Sequence, residues 1–255
     1  MVNNISIMFM IISFMICFGL PIGLTIYFYK KKKVSLLAVG VGALIFIVSQ
    51  ISTRLPLIGY LNTKSWFIQN IKSNTIIYVL FLALTAGIFE EVGRFIGFKY
   101  LLKNKLSWKN GIAFGIGHGG IEAILLVGIT YVSNIILSIL INIGNFDALV
   151  AQKSPQIAGI KNILIGTPSY MFFIGGIERI FTIIFHIALT VIVLEGVMKK
   201  ENKYLLYAIL IHALVDFVAG YNINIFVTEG FMFVTAIVSF RFLIKSKKRF
   251  NDIEV

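Results

Sequence analysis

IIYVLFLALTAGIFEEVGRFIGF, residues 76–98, is an unbroken apolar run except for Glu90, Glu91 and Arg94. About 20 predominantly apolar residues suffice for a helix to cross a bilayer, so this stretch reads as a membrane span. A charge placed at bilayer depth costs roughly 3 kcal/mol or more. Three ionisable groups inside one span therefore mark a candidate functional site.

The same reading extends outward in both directions. The chain has 255 residues, 58% of them hydrophobic and only 13% charged, with a mean hydropathy of +0.92. A soluble domain would carry about 25% charged residues. Apolar runs near 4–29, 34–53, 76–98, 110–140, 170–198, 204–221 and 223–244 predict an all-α, polytopic integral membrane protein of about seven transmembrane helices. We read residues 1–255 as one transmembrane domain, with its motif-bearing core over about 76–221. The first run has no basic residue ahead of it, which fits a permanent helix better than a signal peptide.

The net charge of +12 does not point to nucleic acid, because the basic residues gather at the ends of the apolar runs. With the N-terminus outside, sixteen Lys and Arg fall on the inner side and five on the outer side, Arg54 among the five. That asymmetry predicts N-outside and C-cytoplasmic orientation in a plasma membrane. The Ile-, Lys- and Asn-rich composition suggests a bacterial source. Two outer stretches stand out. Residues 54–75, with Pro56 and Trp66, look interfacial, and 141–169 is long enough for a lid, although a plain surface loop is the simpler reading.

All three histidines lie inside spans, and they share depth with acids. Counting about 1.5 Å per residue, Glu90, His118 and His212 fall at one level, and Glu122, His186 and Asp216 about one turn further out. Glu90/Arg94, His118/Glu122 and His212/Asp216 are each four residues apart, which puts each pair on one helix face. In lipid those faces must meet each other or a water-filled cavity. Arg94 would then hold one glutamate ionised and leave the other to orient water or carry a proton. Gly111, Gly115, Gly117, Gly119 and Gly120 surround His118, and Gly93 and Gly97 form a GxxxG on the preceding span. They fit close helix packing, or a loosening of the helix around the histidine. The tetrapeptide GGIE occurs at 119–122 and again at 175–178, a coincidence or a trace of an inverted repeat.

Exclusions narrow the chemistry. There is no HExxH, the aspartates are Asp147, Asp216 and Asp252, and no GxS is present. The usual zinc-peptidase helix, an intramembrane aspartyl dyad and a serine nucleophile of that kind are therefore absent. Cys17, the single cysteine, has no histidine near it in the chain and reads as a packing residue. Glutamate and histidine acting on water remain, with or without a metal.

Glu90-Glu91-x-x-Arg94, Phe114-x-x-x-His118 and His212-x-x-x-Asp216, in that order on separate spans, resemble the three motifs of the CAAX-protease and bacteriocin-processing superfamily. That group contains glutamate-type intramembrane endopeptidases, and the wider set includes PrsW-like proteases and YhfC-type intramembrane metalloproteases. FEEVGR at 89–94 and GIGHGGIEA at 115–123 look most like the YhfC type. The resemblance implies that Glu90 or Glu91 is the general base. It implies that His118 binds the water or a metal, and that His212 and Asp216 stabilise the oxyanion or ligate metal. It makes Glu122 a ligand or an acceptor that orients a histidine. A zinc site would draw on His118, Glu122, His186 and His212. His186 could equally be a helix-packing residue, and Glu178 and Arg179 could pair only locally. The commoner superfamily spacing is EExxxR. Here it is EExxR, which rotates Arg94 by about 100° and leaves its partner open. The substrate would be a peptide or membrane protein in the lipid bilayer. A proton- or cation-coupled transporter, or a non-catalytic immunity or receptor-like membrane protein, would carry similar residues.

Overall fold

The computed structural model describes residues 1–148, 159–221 and 224–253. Among these described residues, seven helices are long and apolar enough to cross a membrane: α1 Asn4–Lys32, α2 Leu36–Leu61, α3 Thr75–Leu101, α4 Trp108–Asn142, α5 Ser169–Lys199, α6 Lys203–Tyr221 and α7 Ile225–Asn251. Each expected span falls on one of them, and no strand occurs among the described residues. The chain is an all-α, multi-pass membrane protein. Leu36, Leu37, Leu44, Leu80, Leu84 and Leu210 are exposed on the outside of the bundle, where acyl chains rather than water would meet them.

Local chemistry sets the helix ends. Asn74 caps α3 by accepting from Ile76 N at 3.0 Å and Ile77 N at 3.2 Å, which satisfies two otherwise orphaned donors. Ser107 caps α4 through Asn110 N at 3.3 Å. Lys33 and Lys200, with φ of 54° and 57°, close α1 and α5 in the left-handed conformation that ends many helices.

Two boundaries differ from the expected ones. Residues 54–61, expected to lie beyond the second span, form the last turns of α2. Pro56 is tolerated there because the helix ahead of it widens to i→i+5 bonding over Ile47–Arg54. α4 runs unbroken to Asn142. Of the expected loop at 141–169, residues 149–158, with Pro155, lie outside the described residues; residues 160–166 form a short helix.

α5 is the central post, with 72% of its most apolar window buried. It packs on α1, α4, α6 and α7, while α2 lies on α4 and α3 on α6. Glycine permits the closest crossings. A methyl on Gly117 would overlap the carbonyl oxygen of Val39, and one on Gly42 that of Phe114. A Cβ at Gly115 would sit 2.6 Å from Ile187 Cα and one at Gly119 3.1 Å from His186 Cβ. The glycines therefore serve packing, and α4 is regular through His118; widened turns begin only at Ala123. The GGIE echo has a physical counterpart. Gly120 abuts Pro21 and Gly176 abuts Ser13, so both copies make room for α1.

The lysine-rich end is closed by polar and aromatic ties. Glu195 is buried between Lys199 Nζ at 2.7 Å and Arg249 Nη2 at 3.3 Å. Trp108 Nε1 donates to Ser246 Oγ at 2.9 Å. Overpacking a close helix contact costs about 1–3 kcal/mol. Gly117→Ala should therefore lower the thermal unfolding midpoint in detergent clearly, while Gly19→Ala, facing open space, should leave it unchanged.

Candidate active site

Four helices bring the ionisable residues to one buried point. Glu90, Glu91 and Arg94 come from α3, His118 from α4, His186 from α5 and His212 from α6, and all six are buried. Their order is set by what each side chain can donate or accept. Arg94 only donates. It bonds Glu91 Oε1 through Nη1, Glu90 Oε2 through Nη2 at 3.2 Å, and His186 Nδ1 at 2.8 Å. Its partner, open at the level of sequence, is thus both glutamates at once.

The contact with Arg94 requires His186 Nδ1 to be an acceptor. The proton then sits on Nε2, which faces Glu122 Oε2 at 2.8 Å. His212 is arranged alike with the nitrogens exchanged. Its Nδ1 lies 2.6 Å from Glu91 Oε1, so Nδ1–H donates. That leaves the Nε2 lone pair directed toward Glu90 Oε2 at 3.9 Å and Asp216 Oδ2 at 3.5 Å. Each histidine is therefore backed by a carboxylate that fixes its tautomer and orientation, as is usual for metal-ligating histidines. His118 Nε2 contacts Glu90 Oε2 at 2.9 Å, its ring is edge-on to Phe46 at 5.3 Å, and its Nδ1 is buried without a hydrogen-bond partner.

Glu90 is the convergence point. Its Oε2 lies 2.9 Å from His118, 3.8 Å from His186 and 3.9 Å from His212. Its Oε1 accepts from Gln50 Nε2. Gln50 and Arg54, both on the widened part of α2, were missed as site residues. Arg54 donates Nη1 to Gln50 Oε1 at 2.9 Å, Nε to Thr85 Oγ1 at 3.1 Å and Nη2 to the Leu82 carbonyl at 2.6 Å. Because arginine can only donate, Gln50 must turn its oxygen to Arg54 and its NH2 to Glu90. Arg54 was counted as an outer loop charge, yet it lies against the site. A lone Gln four residues before an Arg, at the end of an apolar run, was the available signal.

The atoms best grouped to hold a cation are Glu90, His186 and His212, whose donor atoms lie within 4.8 Å of one another. This differs from the expected set of His118, Glu122, His186 and His212. His118 faces the carboxylate of Glu90, and Glu122 sits behind His186, its Oε2 2.8 Å from Nε2. Arg179 pairs not only with its neighbour Glu178 but also with Glu122 Oε1 across to α4, at 3.5 Å. A cavity of about 260 Å³ borders the cluster, lined by Arg54, Glu122, Glu178, Arg179, His186 and Asp216 together with apolar side chains.

Buried carboxylates and imidazoles gathered in a membrane bundle define a polytopic protein with an intramembrane polar centre. Residues 16–238 match the YhfC intramembrane metalloprotease family, and the chain belongs to that family. It is 34% identical to "Uncharacterized membrane protein YhfC" of Bacillus subtilis (strain 168) over 258 residues, covering 98% of this chain and all of that protein. No solved structure matches the chain.

Removing one partner of a buried ion pair costs about 3–5 kcal/mol, because the other charge is left unpaired. Arg94→Leu strands two carboxylates and should abolish monodisperse protein in detergent gel filtration. Arg94→Lys keeps the charge but not the fork, and should give folded protein with a lowered unfolding midpoint.

Proposed function

We propose that this protein is an intramembrane endopeptidase of the metallopeptidase type, hydrolysing a peptide bond within the bilayer. The observation that carries the reading is Glu90 Oε2, within 4 Å of histidines from three different helices at a buried point of the bundle. The residues suit zinc. Two imidazoles and one carboxylate are a known catalytic donor set, and the separations of 3.8 and 3.9 Å are a few tenths of an ångström wider than tetrahedral ligation at about 2.1 Å requires. Glu90, His186 Nδ1 and His212 Nε2 would hold the ion, and Arg94 would release its contact with His186 while keeping both glutamates. Bound there, zinc supplies Lewis-acid polarisation of the scissile carbonyl and a more acidic water.

The chain's own groups do the rest. Glu91 and Glu122 keep the ligating nitrogens of His212 and His186 aimed inward. Gln50 and His118 fix the two oxygens of Glu90 by donating to each of them. Glu91 is walled off from the cavity by Arg94 and His212, and Glu90 is fully engaged. Asp216 is the carboxylate left at the cavity edge, with its side chain 38% exposed and 3.5 Å from His212. We assign it the proton of the attacking water, which it returns to the leaving amine. This moves the base from Glu90 or Glu91, where the motif resemblance put it, to Asp216.

Removing a general base lowers turnover by about 10²–10⁴-fold. In membranes of cells expressing wild-type protein, quantitative N-terminal proteomics should find peptide termini that are missing with Asp216→Asn. Purified wild type and Asp216→Asn should carry about one zinc per chain, the number of sites that one His2Glu set provides, whereas His186→Ala and His212→Ala should carry none. Identical termini in wild type and mutant, or wild-type protein free of zinc, would overturn the metallopeptidase reading.

A further inference from the structure

The polar cavity lies entirely to one side of the histidine level. On α3 its lining residues, Val79 to Ala83, precede Glu90; on α5 the lining runs from Glu178 to His186; on α6 it runs from Val215 to Gly220, beyond His212. On these helices that direction leads to the lysine-poor end of the bundle, where the α2–α3 and α6–α7 connections lie. Side-chain exposure is greater for the acids that line the cavity than inside the cluster. It is 0% at Arg94 and Glu91, 13% at Glu122, 27% at Glu178 and 38% at Asp216.

The opposite direction is blocked. Between the cluster and the lysine-rich end lie Phe98, Leu102, Phe114, Val191 and Leu194, all at most 1% exposed, with Phe98 and Phe114 stacked at 4.6 Å. Hollows at that end, beside Lys99 and Lys199, are lined by no residue of the cluster. A further groove between α1, α4, α5 and α7 has no polar lining and does not touch the cluster.

We infer that water and substrate reach the buried glutamate and histidines from the lysine-poor end of the bundle, through this cavity, and that this end faces the outside of the cell. A space of about 260 Å³ holds roughly eight waters at ~30 Å³ each, and a polar wall of this kind inside a membrane bundle is stable only when wet. The lysine bias assigns the closed end to the cytoplasm. That the entrant is a peptide rests on the proposed peptidase reading. Its class is then a membrane-anchored or translocated polypeptide whose scissile segment lies at the non-cytoplasmic side. The path itself does not depend on catalysis.

The single buried cysteine makes the test direct. In a Cys17→Ala background, Thr182→Cys on α5 and Ala219→Cys on α6 place thiols in the cavity wall, and Ala113→Cys places one in the blocked half. Thr63→Cys and Asn104→Cys, both exposed in connecting loops, report the two faces. Right-side-out and inverted vesicles are treated with a small, membrane-impermeant cationic methanethiosulfonate. Unreacted thiols are then counted after denaturation. We expect Thr182→Cys and Ala219→Cys to react in the right-side-out vesicles, together with Thr63→Cys, and Ala113→Cys to react in neither preparation. Cavity thiols that react only alongside Asn104→Cys, equally from both faces, or from neither face would overturn the path. A Thr63→Cys that reacts only in inverted vesicles would overturn its outward orientation. None of these results bears on whether cleavage occurs, so the path and the peptidase reading fail separately.

Discussion

The site depends on one buried cation. Arg94 has no access to solvent, and a guanidinium taken out of water must be matched by charge and by acceptors for its donors. The countercharge comes from its own helix, and so do two of its acceptors. Residues three and four positions apart are neighbours on a helix surface, so a motif with glutamates at both distances places two carboxylates beside the same guanidinium. The longer spacing EExxxR would put one glutamate five residues away, off that face. Here Glu91 takes Nη1, Glu90 takes part of Nη2, and the rest of Nη2 reaches His186 on another helix. The spacing of α3 thus sets the orientation of α5.

From that anchor the remaining contacts follow by elimination of donors and acceptors. His186 must accept at Nδ1 and so offers its proton to Glu122. Glu91, already engaged by Arg94, still accepts from His212. None of this works unless the helices are very near each other, and the glycines secure that nearness. Gly115 and Gly119 seat α4 on α5, and Gly42 and Gly117 seat α2 on α4. His118, flanked by these glycines, is pressed among Phe46, Phe114 and Glu90.

The spans and the depth of the polar residues were legible in the sequence because both depend on position along a helix axis. The rotation of each helix was not. In a membrane bundle the outside is as apolar as the core, so the periodicity that orients a soluble helix is lost. The shared level of Glu90, His118 and His212 could therefore be read, but not that His118 would meet the carboxylate of Glu90 rather than line up with the other histidines. Arg54 shows the complementary failure. It stands at the end of an apolar run, where positive charges ordinarily mark topology, and only the packing of α2 against α3 shows its side chain held by Thr85 and Leu82 as well as by Gln50. The pairing of Glu122 with both His186 and Arg179 likewise needed the packing of α4 on α5.

The charge inventory of this network carries the argument one step further. Glu90, Glu91, Glu122, Glu178 and Asp216 are five carboxylates, and Arg54, Arg94 and Arg179 are three guanidinium groups. With neutral histidines the network holds two negative charges in excess. The two acids with the greatest exposure, Asp216 and Glu178, border the cavity, where water can solvate the excess charge. Water thus meets the network at its acidic edge. The buried half keeps Arg94 paired with Glu90 and Glu91, and Glu91 with His212, which ties α3 to α6. A cation entering from the cavity would take the place of the Arg94–His186 contact and leave Arg94 paired with both glutamates of its own helix.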